Sequence, residues 1–276
     1  MGTVGGRCAH WGVLAGIAVI AALAAAGCTG SSATPQTIYI TPSPGPVTPL
    51  PSGVTPAPTV VLPVPAIDSV VISSNAPDNR WQVTFKKAVV SGISDAAATK
   101  MNGAIADKIN AYIGAFTGGS LPAVAGGAGP STLEGDFSIA LDSPTLLSLR
   151  FTVLTHVSGS ANMAEEPGSI NFAVSSGATI NLADLFSDQA KALSTITAAV
   201  KVDLNAQLGT DLTWDGKASS LSFYDKAWAM TPTGLEVAFA QGSMASAAAG
   251  MPTSTIPWSA LKSVVKPDSP AGEFVK

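Results

Sequence analysis

Hydrophobic and polar positions follow clear periods along most of the chain after residue 66. In the segment RWQVTFKKAVVSG, apolar side chains at Trp81, Val83 and Phe85 alternate with polar ones, which predicts a β-strand. The next segment predicts an amphipathic helix that begins after Ser94 and ends at Gly118. Its apolar residues recur every three or four positions, at Met101, Ile105, Ile109, Tyr112 and Phe116.

Beyond a Gly-rich loop, the pattern predicts mainly strands. Residues 133–141 and 146–157 are two strand candidates joined by a DSPT turn, and SINFAVSSG predicts another strand. A second helix is predicted over roughly 187–207, with Asn181 or Ser187 as its cap. The segment SSLSFYDKAWAMTPTGLEVAFA then predicts two strands across a TPTG turn, and residues 251–265 predict a strand or a short helix.

These elements predict an α+β fold, a mainly antiparallel sheet with two principal helices packed on it. Most strands are joined by short, hairpin-like connections, which favours antiparallel pairing. The predicted fold covers residues 67–276, as one domain or as two subdomains divided near residue 130.

The pattern before residue 67 is different. Residues 12–27 form an apolar run of sixteen residues that is short for a membrane span and typical of a signal peptide. Ala25, Ala26 and Gly27 lead into Cys28, which resembles a lipobox, although Leu is commoner at the place of Ala25. We therefore expect residues 1–27 to be a lipoprotein signal peptide and Cys28 to be acylated, which would hold the protein on the outer face of the cell membrane. The alternative is ordinary cleavage with an incidental cysteine.

Residues 28–66 carry ten prolines among Ser and Thr and no charge. Proline restricts the backbone and removes an N–H donor, so this segment predicts an extended spacer. A ligand for a proline-binding domain is the functional alternative.

Composition narrows the classes of function. The chain of 276 residues is 46% hydrophobic and 12% charged, as in an exported protein of a GC-rich bacterium of actinobacterial type. Its net charge of −4 offers no basic face, so nucleic-acid binding is not expected. The only cysteines are Cys8 and Cys28, which excludes disulfides and thiolate metal sites after residue 28.

Candidate chemistry is sparse. His156 is the only histidine outside the predicted signal peptide; it is either a general base beside Ser158 or Ser160, or a strand-end side chain with one backbone hydrogen bond. No G-x-S-x-G, calcium-loop, H-E-x-x-H or P-loop motif is present. We therefore expect no enzyme activity, no cofactor and no metal, and we place Glu165 and Glu166 in a solvated loop. The candidate binding residues are Trp214, Trp258, Met244 and Met251.

The order of motifs after residue 168 resembles a bacterial extracellular domain of unknown function. The matching features are Asn171-Phe172, Gly177, Leu182 to Phe186, Thr233 with Gly234-Leu235, Ala249-Gly250, and Ile256-Pro257 with Leu261. That domain forms the C-terminal part of RsiV-type anti-sigma factors, which sense lysozyme by binding it. It also occurs in a secreted mycobacterial immunogenic antigen. The family often has Gly-Gly-Ala-His-Pro where this chain has residues 159–163, GSANM.

This resemblance implies a non-catalytic binding domain whose partner is a lysozyme-like protein or peptidoglycan. The surfaces expected to bind are the loops at residues 118–130 and 240–252. Anti-sigma activity is not predicted. Two other hypotheses stay open: a carrier of lipid or hydrophobic solute, and a serine hydrolase that uses Ser160 and His156.

Overall fold

The computed structural model describes residues 62–124, 129–209, 212–214 and 218–276, which belong to one compact unit. The predicted signal peptide, Cys28 and most of the predicted spacer lie outside the described residues. The division near residue 130 stays a prediction. Among the residues described, no helix is both long and apolar enough to span a bilayer.

The first part of the fold contains a six-stranded sheet, whose strands lie side by side in the order β1 to β6. The pairing of β2 with β3 is parallel and the other four pairings are antiparallel. Helix α1 joins the two parallel strands, as a parallel pair requires. The elements are β1 Ala66–Asn75, β2 Trp81–Ser91, α1 Asp95–Thr117, β3 Ser131–Asp142, β4 Leu146–His156, β5 Met163–Ala173 and β6 Ala178–Thr179.

A smaller antiparallel sheet of three strands forms the second part, with α2 packed against it. Its strands are only three to five residues long. The elements are α2 Gln189–Leu208, β7 Trp228–Met230, β8 Gly234–Ala238, β9 Thr253–Pro257 and α3 Trp258–Leu261. Short 3-10 turns lie at Leu182–Leu185, Leu221–Phe223, Ala247–Ala249 and Pro270–Val275.

Two hydrophobic cores correspond to these two parts. The first joins α1 to one face of the large sheet, through residues such as Ile105, Leu149 and Phe172. The second joins α2 to the small sheet, through residues such as Ile196 and Leu235. We call β1–β6 with α1 the N-terminal layer, and α2, β7–β9 and α3 the C-terminal layer.

The mixed α and β content and the antiparallel-dominated sheet agree with the predicted fold class. The prediction of two principal helices on one sheet holds only in part, because α1 packs on the large sheet and α2 on the small one. The α1 boundaries are confirmed: the Ser94 hydroxyl accepts a hydrogen bond from the backbone N–H of Ala97, and Gly118 ends the helix.

Several predicted boundaries were wrong for local reasons. The cap of α2 is Asp188, whose carboxylate accepts from the N–H of Lys191, while Asn181 begins the preceding 3-10 turn. Strand β1 was not predicted. Glu165 and Glu166 lie in β5 rather than in a loop, since they pair with β4. Pro167 is tolerated there because no described strand pairs with the other side of β5 at that position.

Candidate functional site

Strand β7 lies across the face of the large sheet that α1 leaves uncovered. Along β4, Leu147, Leu149 and Phe151 belong to the core beneath α1. The alternate residues Ser148 and Arg150 bond instead to the C-terminal layer, because successive side chains of a strand point to opposite faces. The two layers therefore meet over β4 and β5, and the candidate site lies in this junction.

A buried polar network joins the layers. Asn171 donates through its side-chain amide to the carbonyl of Trp228 at 3.0 Å and accepts from the Ser148 hydroxyl. The Ser148 oxygen also accepts from the N–H of Met230 at 3.1 Å, and the Ser169 hydroxyl accepts from the N–H of Trp228 at 2.9 Å. Side chains of the large sheet thus satisfy backbone groups of β7 that face away from β8.

An ion pair crosses the same junction. Arg150 on β4 donates through Nη2 to a Glu236 carboxylate oxygen at 2.7 Å, and its Nε contacts the other oxygen. The side chains are 33% and 17% exposed, so the pair is partly withdrawn from water. Both residues line a cavity of about 100 Å³, together with Ser138, Pro167, Ser169, Trp228 and Met251 among others. Away from the ion pair the lining is mixed, with hydroxyl side chains such as Ser138 and Ser169 beside Trp228 and Met251.

A larger cavity of about 340 Å³ adjoins the first, and the two share Pro167, Ala227 and Ala238 in their walls. Its remaining lining is aromatic and apolar, with a charge of each sign; it consists of Glu166, Phe223, Lys226, Phe239, Ala240, Ser243 and Met244. We call the two cavities together the interlayer groove. Its size and lining are those of a site for a small ligand or for one inserted side chain.

The electrostatics beside Glu166 involve the C-terminal half of α1. Burial lowers the pKa of the Lys108 amine, and the carboxylates of Glu166 and Asp225 act against that shift. Burial raises the pKa of Tyr112 to about 12, and Glu166 adds to the rise. The Lys108 Nζ lies 5.6 Å from the centroid of the Tyr112 ring. At neutral pH the Tyr112 phenol is therefore protonated.

The four predicted binding residues fall in two groups. Met244 and Met251 line the larger and the smaller cavity respectively. Trp258 is buried, donates through Nε1 to the carbonyl of Thr231 at 2.9 Å, and stacks on Phe274. Trp214 is half-buried beneath the Lys201 amine, which lies 5.1 Å from its ring centroid. The structure thus places the two methionines at the groove, and a binding role for any of the four stays a prediction.

The residues considered for serine chemistry do not form a nucleophile and base pair. The His156 Nε2 lies 3.0 Å from the backbone carbonyl of Ser160, whereas the Ser160 hydroxyl donates to the carbonyl of Asn162 at 3.1 Å. The backbone N–H of Ser158 donates to the Ser131 hydroxyl at 2.9 Å. Within the described ranges, no three His, Cys, Asp or Glu side chains are grouped to hold a metal ion.

Sequence reasoning missed Arg150, Glu236 and the aromatic wall of the groove. One signal was available: Arg150 is the only charge in the strand segment LLSLRFTVL, in which six of the other eight residues are apolar. A charge inside such a strand needs a partner or access to water. The sequence does not indicate that this partner is Glu236, which lies 86 residues later.

Comparison with known proteins finds similarity to one family. No curated protein matches the chain. A crystal structure of a DUF3298 family protein from Pseudomonas aeruginosa PAO1 is 14% identical, covers 73% of this chain and 94% of that chain, and gives a TM-score of 0.51. A DUF3298 family member from Bacteroides fragilis NCTC 9343 is also 14% identical, covers 77% and 98%, and gives a TM-score of 0.49.

At this identity the Pseudomonas structure shows a shared fold and nothing about activity. The likeness to RsiV stays a prediction from the sequence. Residues 183–259 match the family described as "Protein of unknown function (DUF3298)", and this segment contains most of the motif residues that carried the predicted resemblance.

Proposed function

We propose that this protein is a membrane-anchored envelope lipoprotein whose extracytoplasmic domain binds a partner without catalysis. The interlayer groove is the observation that carries the binding function. It is a concave, largely apolar surface with Glu166 and Lys226 in its lining, which fits an inserted side chain of a protein or a sugar ring of an envelope glycan. The bonding of His156 and Ser160 supports a non-catalytic role.

The anchor is supported by the lone cysteine after the apolar run. Cys28 precedes a proline-rich spacer, and the first strand of the described fold begins at Ala66, where that spacer ends. An acyl chain contributes about 0.8 kcal/mol for each buried CH₂, so attachment of two or more chains would hold the domain at the membrane.

Metabolic labelling with an alkyne fatty acid tests the anchor in a bacterium that processes lipoproteins. The full chain should incorporate the label and fractionate with membranes, and Cys28→Ala should lose both properties. Cys8→Ala is the matched control. It should keep both the label and the membrane fractionation, because Cys8 lies in the signal peptide that is removed. Equal labelling of the two variants would contradict the proposal.

Titration of the full chain with lysozyme and with peptidoglycan fragments tests the groove. One of the two should bind saturably, and Ala240→Trp, which fills the larger cavity, should weaken that binding at least tenfold. Ala198→Trp, on the exposed side of α2, is the control and should bind as well as the parent chain. Absence of binding to both ligands, or equal binding by both variants, would overturn the assignment.

A carrier of lipid or hydrophobic solute is the second candidate, favoured by the apolar wall of Phe223, Phe239 and Met244. Native mass spectrometry of the purified full chain separates it from the first candidate. A carrier would show a co-purified apolar molecule that Ala240→Trp displaces.

A further inference from the structure

Strand β1 is one edge of the large sheet, and its outer side has no neighbour among the described strands. All ten residues pair with β2 on the inner side, from Ala66↔Ser91 to Asn75↔Gln82. Eight of the ten are exposed and two are half-buried. An edge of this length presents a row of backbone N–H and C=O groups that can pair with another strand.

The strand is also apolar on both faces at its centre. Val70 is 45% exposed and Val71 is 65% exposed. Successive residues of a strand point to opposite faces, so each face presents one of these valines to water. Proteins usually protect such an edge with Lys, Pro or a bulge. β1 contains none of these devices, and its one charge is Asp68.

The sequence of β1 is nearly symmetric about Val71. With Val71 opposite Val71 in an antiparallel pair of two copies, Val70 lies opposite Ile72, and Ser69 lies opposite Ser73. Apolar side chains then meet apolar ones and hydroxyls meet hydroxyls, which are stabilising cross-strand pairs. Asp68 lies opposite Ser74, so no like charges meet.

Two-fold symmetry restricts the possible registers. In a symmetric pair each contact occurs twice, and the two-fold axis normal to the sheet passes midway between the two opposed copies of one residue. We call it the axis through that residue. An axis through Asp68 would bring two carboxylates together. An axis through Val70 would place Asp68 opposite Ile72. The axis through Val71 pairs residues 69 to 73 with side chains of like polarity, and it leaves Asp68 opposite Ser74 and Ile67 opposite Asn75.

We propose that this protein forms a homodimer through β1, with two copies paired antiparallel about Val71. The pairing joins two six-stranded sheets through roughly eight to ten backbone hydrogen bonds. The occupant of the edge is a second copy because β1 is complementary to itself. The interface is separate from the interlayer groove, so it does not depend on the binding function proposed above.

Disulfide trapping tests the dimer and its register. The full chain is purified with Cys8→Ser and Cys28→Ser, so that an introduced thiol is the only one. Opposed residues of an antiparallel pair have Cα atoms about 4.5–5.5 Å apart, within disulfide range. Val71→Cys should therefore form a disulfide dimer under mild oxidation.

Ser69→Cys is the matched control, since two such thiols would be offset by four residues, or about 13 Å. It should not link to itself, but it should link to a chain that carries Ser73→Cys. Equal linking of the Val71→Cys and Ser69→Cys chains, or no linking at all, would overturn the proposed dimer.

Light scattering provides a second test of the dimer that needs no introduced cysteine. The parent chain should show the mass of two copies at micromolar concentration, corrected for any detergent. Val71→Lys places two ammonium groups at the two-fold axis and should give the mass of one copy with unchanged circular dichroism. Val202→Lys makes the same change on α2, where Val202 is 74% exposed, and should stay dimeric. A monomeric parent chain, or a dimeric Val71→Lys chain, refutes the proposal.

Discussion

The N-terminal and C-terminal layers satisfy their backbone polar groups by different means. In the N-terminal layer β1–β5 and α1 have 10 to 23 residues each, and long ladders satisfy their backbone groups. Strands β7, β8 and β9 have only three to five residues. Short strands leave more backbone groups without a ladder partner, and Asn171, Ser148 and Ser169 supply partners for β7. The C-terminal layer therefore depends on the large sheet for its polar groups as well as for packing.

The largest expected effect on stability comes from creating a cavity in either core. Ile105→Ala in α1 and Ile196→Ala in α2 each remove a fully buried side chain and should lower the free energy of unfolding by about 2–5 kcal/mol. Urea unfolding followed by near- and far-UV circular dichroism should show one shared transition in both variants. Val202→Ala, at an exposed site, should change stability by no more than about 0.5 kcal/mol. Two separate transitions, with one shifted in each variant, would mean that the layers unfold independently.

The polar network is the next most sensitive feature. Asn171→Leu keeps the approximate volume but leaves the Trp228 carbonyl without its partner, and should cost about 1–3 kcal/mol. Hydrogen exchange at the Met230 amide should accelerate, because its acceptor Ser148 loses its own partner. Asn110→Leu, exposed on α1, is the control and should leave that exchange rate unchanged. Unaltered exchange in Asn171→Leu would show that the network does not hold β7.

Two glycine substitutions, one of them in the turn after β5, separate the cost of backbone strain from the cost of close packing. Gly177 has φ +68°, and a Cβ there would lie 2.4 Å from the carbonyl oxygen of Ala97 in α1. Gly159 has φ +82° with open space around its Cα. Thermal unfolding should show a cost of about 1 kcal/mol for Gly159→Ala and a larger cost for Gly177→Ala, since only the second displaces α1. Equal costs would mean that the contact with α1 relaxes freely.

The smallest expected effect concerns the ion pair of the groove. Glu236→Gln should lower the free energy of unfolding by about 1 kcal/mol, because Arg150 is only one-third exposed and loses its charged partner. The exposed pair of Arg80 with Asp78 is the comparison, and Asp78→Asn should cost less than about 0.5 kcal/mol. High salt should abolish the cost of Asp78→Asn more completely than the cost of Glu236→Gln. Equal costs at all salt concentrations would mean that burial does not strengthen the pair.

The accuracy of the sequence predictions follows the length of the elements more than the layer, since α2 of the C-terminal layer was also located to within two residues. Periodicity located β2, α1, β3 and β4 to within a few residues, because each is long enough for its apolar face to repeat several times. The segment before β7 was predicted as strand but forms a 3-10 turn and a loop, since three residues cannot display a period. The first six residues of β5 were missed for another reason: Pro167 and Gly168 signal a loop, and pairing with β4 overrides that signal.

The candidate site was harder to predict than the fold. Met244 and Met251 belong to the loop at residues 240–252 that was predicted to bind, and they line the groove. Arg150 and Glu236 could not be paired, because a charge carries no information about a partner far along the chain. Asn171 was noted in the motif with Phe172, and only the sheet geometry separates their roles. Phe172 packs beneath α1, and Asn171 bonds to β7 on the other face.

By itself, the sequence determined the periods of α1, α2 and strands β2 to β4, the caps of α1, and the position of Cys28 between an apolar run and a proline-rich segment. These features are local, since they depend on residues within a few positions of each other. Tertiary structure alone decided the parallel pairing of β2 with β3, the separate sheets for α1 and α2, the interlayer groove and the open edge of β1. Each of these depends on which surfaces meet across long separations in the chain, and burial of apolar area does not by itself specify the partner.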